Sequence, residues 1–144
     1  MTVIVTDTGF GSDDWTLGFV SLDEAANDVA ALDVPSSADP ADVIKQITGA
    51  EMIRVDFPSF ADGRGFTIAR QLRLAGYKGR LRAKGHVISD QYAMARRAGF
   101  DEVEIDDDLA ARQPENQWQA RADWQAHDYQ SRLRGNAPAP AGAE

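Results

Sequence analysis

The sequence predicts an α/β fold: repeated βα units on a mainly parallel sheet, open or curved into a partial barrel, with a C-terminal helix. Three observations carry this. Short runs rich in β-branched and aromatic residues alternate with segments whose apolar residues recur at helical spacing. Gly49, Gly76 and Gly99, 27 and 23 residues apart, each close a helical pattern and stand a few residues before a strand pattern. Strand and helix alternating at that interval mark βα units joined by right-handed crossovers.

The elements follow in order. Residues 2–6, all β-branched, predict a strand. Residues 7–14 are rich in Gly and Asp and predict a loop, and 15–22 a second short strand. A strand over 29–34 stops at Pro35. Asp39 caps a helix that opens with Pro40, carries Asp42 in its first turn, turns Val43, Ile44 and Ile47 to one face and ends at Gly49. Residues 52–57 predict the next strand. A helix from Phe66 aligns Ile68, Ala69, Leu72 and Ala75 and closes at Gly76. Strand character returns at 80–83 and 87–88 around a bend at Gly85. Ser89 or Asp90 caps a helix with Tyr92, Ala95 and Ala98 inward, ended by Gly99, and 103–105 predict a strand. Residues 112–134 are polar, with Trp118, Trp124, Tyr129 and Leu133 as the main apolar positions, and predict a C-terminal helix docked by a few aromatics. Residues 1–134 thus form one domain, and 135–144, an Ala/Pro stretch, a disordered tail.

A chain of 144 residues is long enough for one real core. Its net charge of −8 argues against DNA and anionic membrane as partners. The charge is unevenly placed, however. Residues 1–50 hold nine acids and one base, 51–100 four acids and ten bases, and 101–144 ten acids and four bases. The basic middle third leaves a small anion or an acidic protein surface open as a ligand. There is no cysteine, which excludes disulfides, thiolate-held iron–sulfur clusters and a thiol nucleophile. No His-x-x-x-His or similar metal spacing occurs, nothing points to haem, and Gly9-Phe10-Gly11 lacks the rest of a dinucleotide fingerprint. The first ten residues lack a basic n-region and an apolar h-region, and no apolar run spans a bilayer, so a cytoplasmic protein is expected.

The densest chemistry lies at residues 56–70. Gly63 and Gly65 flank Arg64 where a strand's carboxyl end passes into a helix, so the backbone there can approach a ligand and the helix N-terminus favours an anion. Arg64 offers a planar fork for sulfate, phosphate or carboxylate, with Arg70 and Arg73 further along. Asp62 either caps this helix or acts as an acid/base. In the second segment, Arg82 and Lys84 share one face of a strand, and Asp90 and Gln91 open the following helix. With the two strands adjacent, Arg64, Arg82, Asp90 and Gln91 could converge at one sheet end. The expected ligand set is therefore Asp62, Gly63, Arg64, Gly65, Arg70, Arg73, Arg82, Asp90 and Gln91, with Asp62 and Asp90 as candidate catalytic acids. His86 and His127 have no nucleophile elbow beside them, and Asp106-Asp107-Asp108 reads as a solvated acidic turn.

Residues 57–73, then Gly76-Tyr77-Lys78-Gly79, Leu81-Arg82-Ala83, Gly85, Asp90-Gln91 and Arg97-Ala98-Gly99-Phe100-Asp101, resemble the bacterial domain-of-unknown-function family 934. The likeness is close over about 50–105 and looser outside. It implies a place in sulfite reduction, where members are described as oxidoreductases from genes beside sulfite reductase and adenylylsulfate reductase. Ala98 stands where a Cys is common and Arg80 where an acid is usual, so no scheme that needs a thiol at 98 applies. Two readings follow. One is an accessory protein of sulfate and sulfite reduction that binds an anion or one of those reductases through the Asp62-Gly63-Arg64-Gly65 loop. The other is a small enzyme in which Asp62 or Asp90 is the acid/base and Arg64 and Arg82 clamp an anionic substrate.

Overall fold

The structure, a computed structural model, describes residues 2–22, 29–46 and 49–122. Seven strands form one open sheet: β1 (Thr2–Thr6), β2 (Gly9–Gly11), β3 (Val20–Ser21), β4 (Ala31–Val34), β5 (Met52–Phe57), β6 (Arg80–Gly85) and β7 (Glu102–Asp106). Their spatial order is β2-β1-β7-β6-β5-β4-β3. β3 to β7 run parallel, each beside the next in sequence, and β1 and β2 are added antiparallel at the β7 edge. Of the two sheets the sequence allows, the open one forms.

Successive right-handed crossovers that always step the same way put their helices on one face, and the helices among the described residues that follow the last strand pack there too. The helices are α1 (Pro40–Ile44), α2 (Arg64–Leu74), α3 (Tyr92–Ala98), α4 (Asp107–Arg112) and α5 (Glu115–Gln119), with a 3₁₀ turn at Ser89–Gln91. The core lies between them and the sheet. Ile53, Val55 and Phe57 of β5, Leu81 and Ala83 of β6, and Val103 and Ile105 of β7 meet Val43, Ile68, Ala69, Leu72, Tyr92, Ala95 and Trp118. The alternate residues of the same strands point to the other face, which no helix among the described residues covers.

Local chemistry sets most boundaries. Asp39 caps α1 by accepting from the Ala41 amide at 3.0 Å, and Asp106 caps α4 by accepting from the Leu109 amide at 2.8 Å. Gly49, Gly76 and Gly99 all adopt positive φ, as closing glycines do. Several elements differ from expectation. α1 ends at Ile44, with Lys45 as its cap, so Gly49 does not close it directly; Ile47 lies outside the described residues. The 7–14 loop contains β2, whose weak strand formers are held by pairing with β1 and by Glu115, which accepts from the Phe10 amide at 2.8 Å. The strand expected over 15–22 shrinks to Val20–Ser21, because residues 12–19 must cross from one sheet edge to the other. Residues 87–88 are not strand. α2 begins at Arg64, two residues earlier than the apolar pattern. Of the helix expected over 112–134, the described residues form α5; α4 precedes it, over the run that reads as an acidic turn, and the two are separate because Pro114 has no amide hydrogen and pushes Gln113 out of helical geometry. Trp118 docks into the core, its ring nitrogen donating to the Gln113 carbonyl at 2.8 Å. Trp124, His127, Tyr129, Leu133 and the expected tail lie outside the described residues.

Gly65 offers a test of packing against propensity. Replacing it with Ala should favour helix by up to about 1 kcal/mol. However, the added Cβ would stand 2.4 Å from the Phe57 ring, which is itself packed against Phe66 and Phe100. Overpacking wins, and Gly65→Ala should lose about 1–2 kcal/mol in urea denaturation. A second test uses Tyr77, whose hydroxyl donates to the Ala50 carbonyl at 3.0 Å. Burial pushes its phenol up to about 12. A raised acid of this kind stabilises the fold fully below its ordinary value of 10.0, and that share is lost as pH climbs toward about 12. Denaturation at stepped alkaline pH should show this loss in the wild type and less of it in Tyr77→Phe.

Candidate functional site

The β5–α2 loop sits at the carboxyl end of the parallel strands, where α/β folds commonly bind ligands. It is a folded turn: Ser59 Oγ accepts from the Ala61 amide at 3.1 Å and the Ser59 carbonyl from the Asp62 amide at 3.0 Å. Asp62 accepts from the Arg64 amide at 3.1 Å and, with both oxygens, from the Arg64 guanidinium at 3.0 and 2.8 Å. These bonds hold its carboxyl well below the usual carboxylate range. Arg64 also donates to Ser36 Oγ at 3.1 Å, yet 61% of its side chain is exposed. Beside it lies a hollow of about 260 Å³ lined by Ser36, Ser37, Pro40, Thr67 and Ile68. Phe60, on the same loop, is 60% exposed.

The other expected ligand residues divide. Gly63 is the N-cap of α2 and makes no side-chain cap bond. Gly65 is buried against Phe57. Gln91 ties two loops together: its Oε1 accepts from the Ile88 amide at 3.1 Å and its Nε2 donates to the Phe60 carbonyl at 2.7 Å. Arg73 is a latch at the opposite end of the sheet, donating to the carbonyls of Tyr77, Gly79 and Gly99 and to Asp101. Arg70 is exposed on α2. Asp90 is exposed and pairs with Arg121 at 2.7 Å. β5 and β6 are indeed neighbours, but the convergence of Arg64, Arg82, Asp90 and Gln91 does not form. Arg82 alternates with Leu81 and Ala83, so it points to the helix-free face while the Arg64 loop sits on the helix side. Asp106 of the acidic run caps α4.

Arg82 instead centres a charged cage that the sequence reading missed. It is 0% exposed and donates to Glu102 at 2.6 Å, to Glu104 at 2.9 Å and to both oxygens of Asp13 at 3.0 and 3.1 Å. Arg54 donates to Asp33 with two nitrogens, at 2.7 and 2.6 Å, and to Glu104 at 3.1 Å. Arg80 donates to Glu102 at 2.8 Å and Asp14 at 2.9 Å. Asp33, Arg54, Arg82 and Glu102 stand in one row across β4 to β7. Burial disfavours the Arg82 charge, but its carboxylates outweigh that and raise it further above its ordinary range. The signal was present in the strands themselves, as charge at every second position of Arg80-Leu-Arg-Ala-Lys84 and Glu102-Val-Glu-Ile-Asp106. Among the described residues no group of three or more His, Cys, Asp or Glu side chains is placed to hold a metal ion. No helix among them is long and apolar enough to cross a membrane.

The fold and site thus define an α/β protein whose open sheet carries helices on one face and an ionic cage on the other, with an exposed arginine loop at the strands' carboxyl ends. The chain belongs to a family described as "Bacterial protein of unknown function (DUF934)", whose profile matches residues 31–139. No curated protein and no solved structure matches it.

Arg82→Ala would leave Glu102 and Glu104 as buried carboxylates short of a partner. It should cost about 3–5 kcal/mol in chemical denaturation. Arg70→Ala, on the exposed side of α2, should stay within about 0.5 kcal/mol.

Proposed function

We propose that this protein is a non-catalytic, cytoplasmic accessory factor of assimilatory sulfate and sulfite reduction. It binds a small anion, or an acidic surface of sulfite reductase or adenylylsulfate reductase, through the β5–α2 loop. The observation that carries this reading is Arg64: a half-free guanidinium held in place by Asp62 and Ser36, open to solvent beside a hollow at the strands' carboxyl ends. An arginine oriented before contact loses less freedom on binding. Phe60 next to it adds the exposed aromatic that interfaces favour.

The enzyme reading finds less support. A general acid works best with a pKa near the operating pH. Asp62 is held far from that by Arg64, Asp90 stands out in solvent on Arg121, and Arg82 belongs to the other face. With Arg82 on the face opposite the Arg64 loop, the four residues do not line one site.

The pathway is tested by deleting the gene and supplying sulfate, sulfite, sulfide or cysteine as sole sulfur source. Growth should fail on sulfate and sulfite and return on sulfide and cysteine; unimpaired growth on all four would remove the pathway from the proposal. The site is tested by capture of either reductase on the immobilised protein and by calorimetry with sulfite and sulfate. Arg64→Ala should weaken whichever interaction is found by roughly tenfold, the usual scale for losing a charge-assisted bond. Unchanged binding would move the site elsewhere.

A further inference from the structure

The helix-free face carries a second feature, separate from the Arg64 loop. Residues 12–19 join β2, at one edge of the sheet, to β3, at the other, and so cross this face as a strap. Among the described residues, no backbone hydrogen bond joins residues 12–19 to the sheet. Side chains hold the strap down. Asp13 meets Arg82 and Asp14 meets Arg80. Phe19 lies 3.7 Å beneath the Arg54 guanidinium, and Trp15 lies 6.0 Å from that of Arg80. The rest of the strap faces solvent, with Leu17 64% exposed.

Arg82 Nε and Nη1 are engaged by Glu102 and Glu104 from within the sheet, whereas among the described residues Nη2 donates to Asp13 alone. The outward edge of a buried arginine is therefore a carboxylate fork filled by a segment that, among the described residues, side-chain contacts alone hold on the sheet. The three arginines lie inside the span that matches the family, residues 31–139, and the strap lies before it. We infer that this face is a docking site for an acidic–aromatic peptide segment of a partner protein, and that residues 12–19 are its built-in, displaceable occupant. A small oxyanion would satisfy one arginine fork but not the two cation–π perches. A chain segment with adjacent acids followed by aromatics satisfies both, as the strap itself does.

The strap must compete with such a segment, so loosening it should raise apparent affinity by freeing the competent state. The probe is a fluorescein-labelled peptide of residues 12–19, titrated onto the full chain and followed by anisotropy. The Asp13→Asn/Asp14→Asn variant should bind it roughly tenfold more tightly than the wild type. Adding Arg80→Ala to that variant should reverse most of the gain. Equal affinity in variant and wild type, or no binding by a variant that circular dichroism shows to be folded, would overturn the inference. If the double variant does not fold, Phe19→Ala loosens the same strap while keeping every ion pair, and an unchanged affinity there is equally decisive. Binding of succinate without binding of the peptide would also overturn it, in favour of a small-dicarboxylate site.

Discussion

Arg82 is the constraint on which the rest of the molecule depends. A sheet whose crossovers all step one way has a face its helices never reach, and this chain fills that face with charge. A buried guanidinium is tolerable only when its donors are matched, and Glu102, Glu104 and Asp13 match them. These partners come from the adjacent strand and from a segment far off in sequence. The ion cage therefore ties β6 to β7 and brings the N-terminal residues across the sheet. Buried ion pairs of this kind add little net stability over apolar packing. What the cage imposes is register: a one-residue slip of β6 would turn Leu81 and Ala83 toward the charges and Arg82 into the apolar core.

The same cage explains the segregation of charge along the chain. The acids of the first and last thirds do not merely surround a basic middle. Asp13, Asp14 and Asp33 from the first third, and Asp101, Glu102 and Glu104 from the last, are the partners of Arg54, Arg73, Arg80 and Arg82. Much of the basic middle is thus consumed by folding. Arg64, at the sheet's carboxyl end, keeps 61% of its side chain exposed, and even that is steadied by Asp62.

The layout of the fold was legible because it rests on local rules. Strand runs at 2–6 and 52–57, the Asp39 cap and the closing glycines each act within a few residues. What was not legible depends on distant partners. β2 has no strand propensity to announce it and exists because β1 and Glu115 satisfy its backbone. The loop at Arg64 could be found from its glycines and charges. The cage could not be assembled without the strand order, although the period-two charges of β6 and β7 already said that one face of the sheet would lack helices. A parallel sheet covered on both sides reads as continuous apolar runs, and these strands alternate.

The residues that carry the family resemblance are mostly those that hold this geometry. Gly65 lets α2 close on Phe57, Arg73 gathers three carbonyls and Asp101 beneath the sheet, Gly79 leaves room for the Tyr77 ring, and Gln91 pins one loop to the next. Each answers a structural need before any functional one. A motif dense in arginine and glycine therefore marks the fold more than it marks a site. Function is better sought where charge or aromatic surface remains after those needs are met. The loop of Phe60 and Arg64 satisfies that condition as it stands, and the arginine face beneath residues 12–19 would satisfy it once that strap is displaced. They lie on opposite sides of one sheet whose strands join them rigidly, so a partner could engage one without obstructing the other.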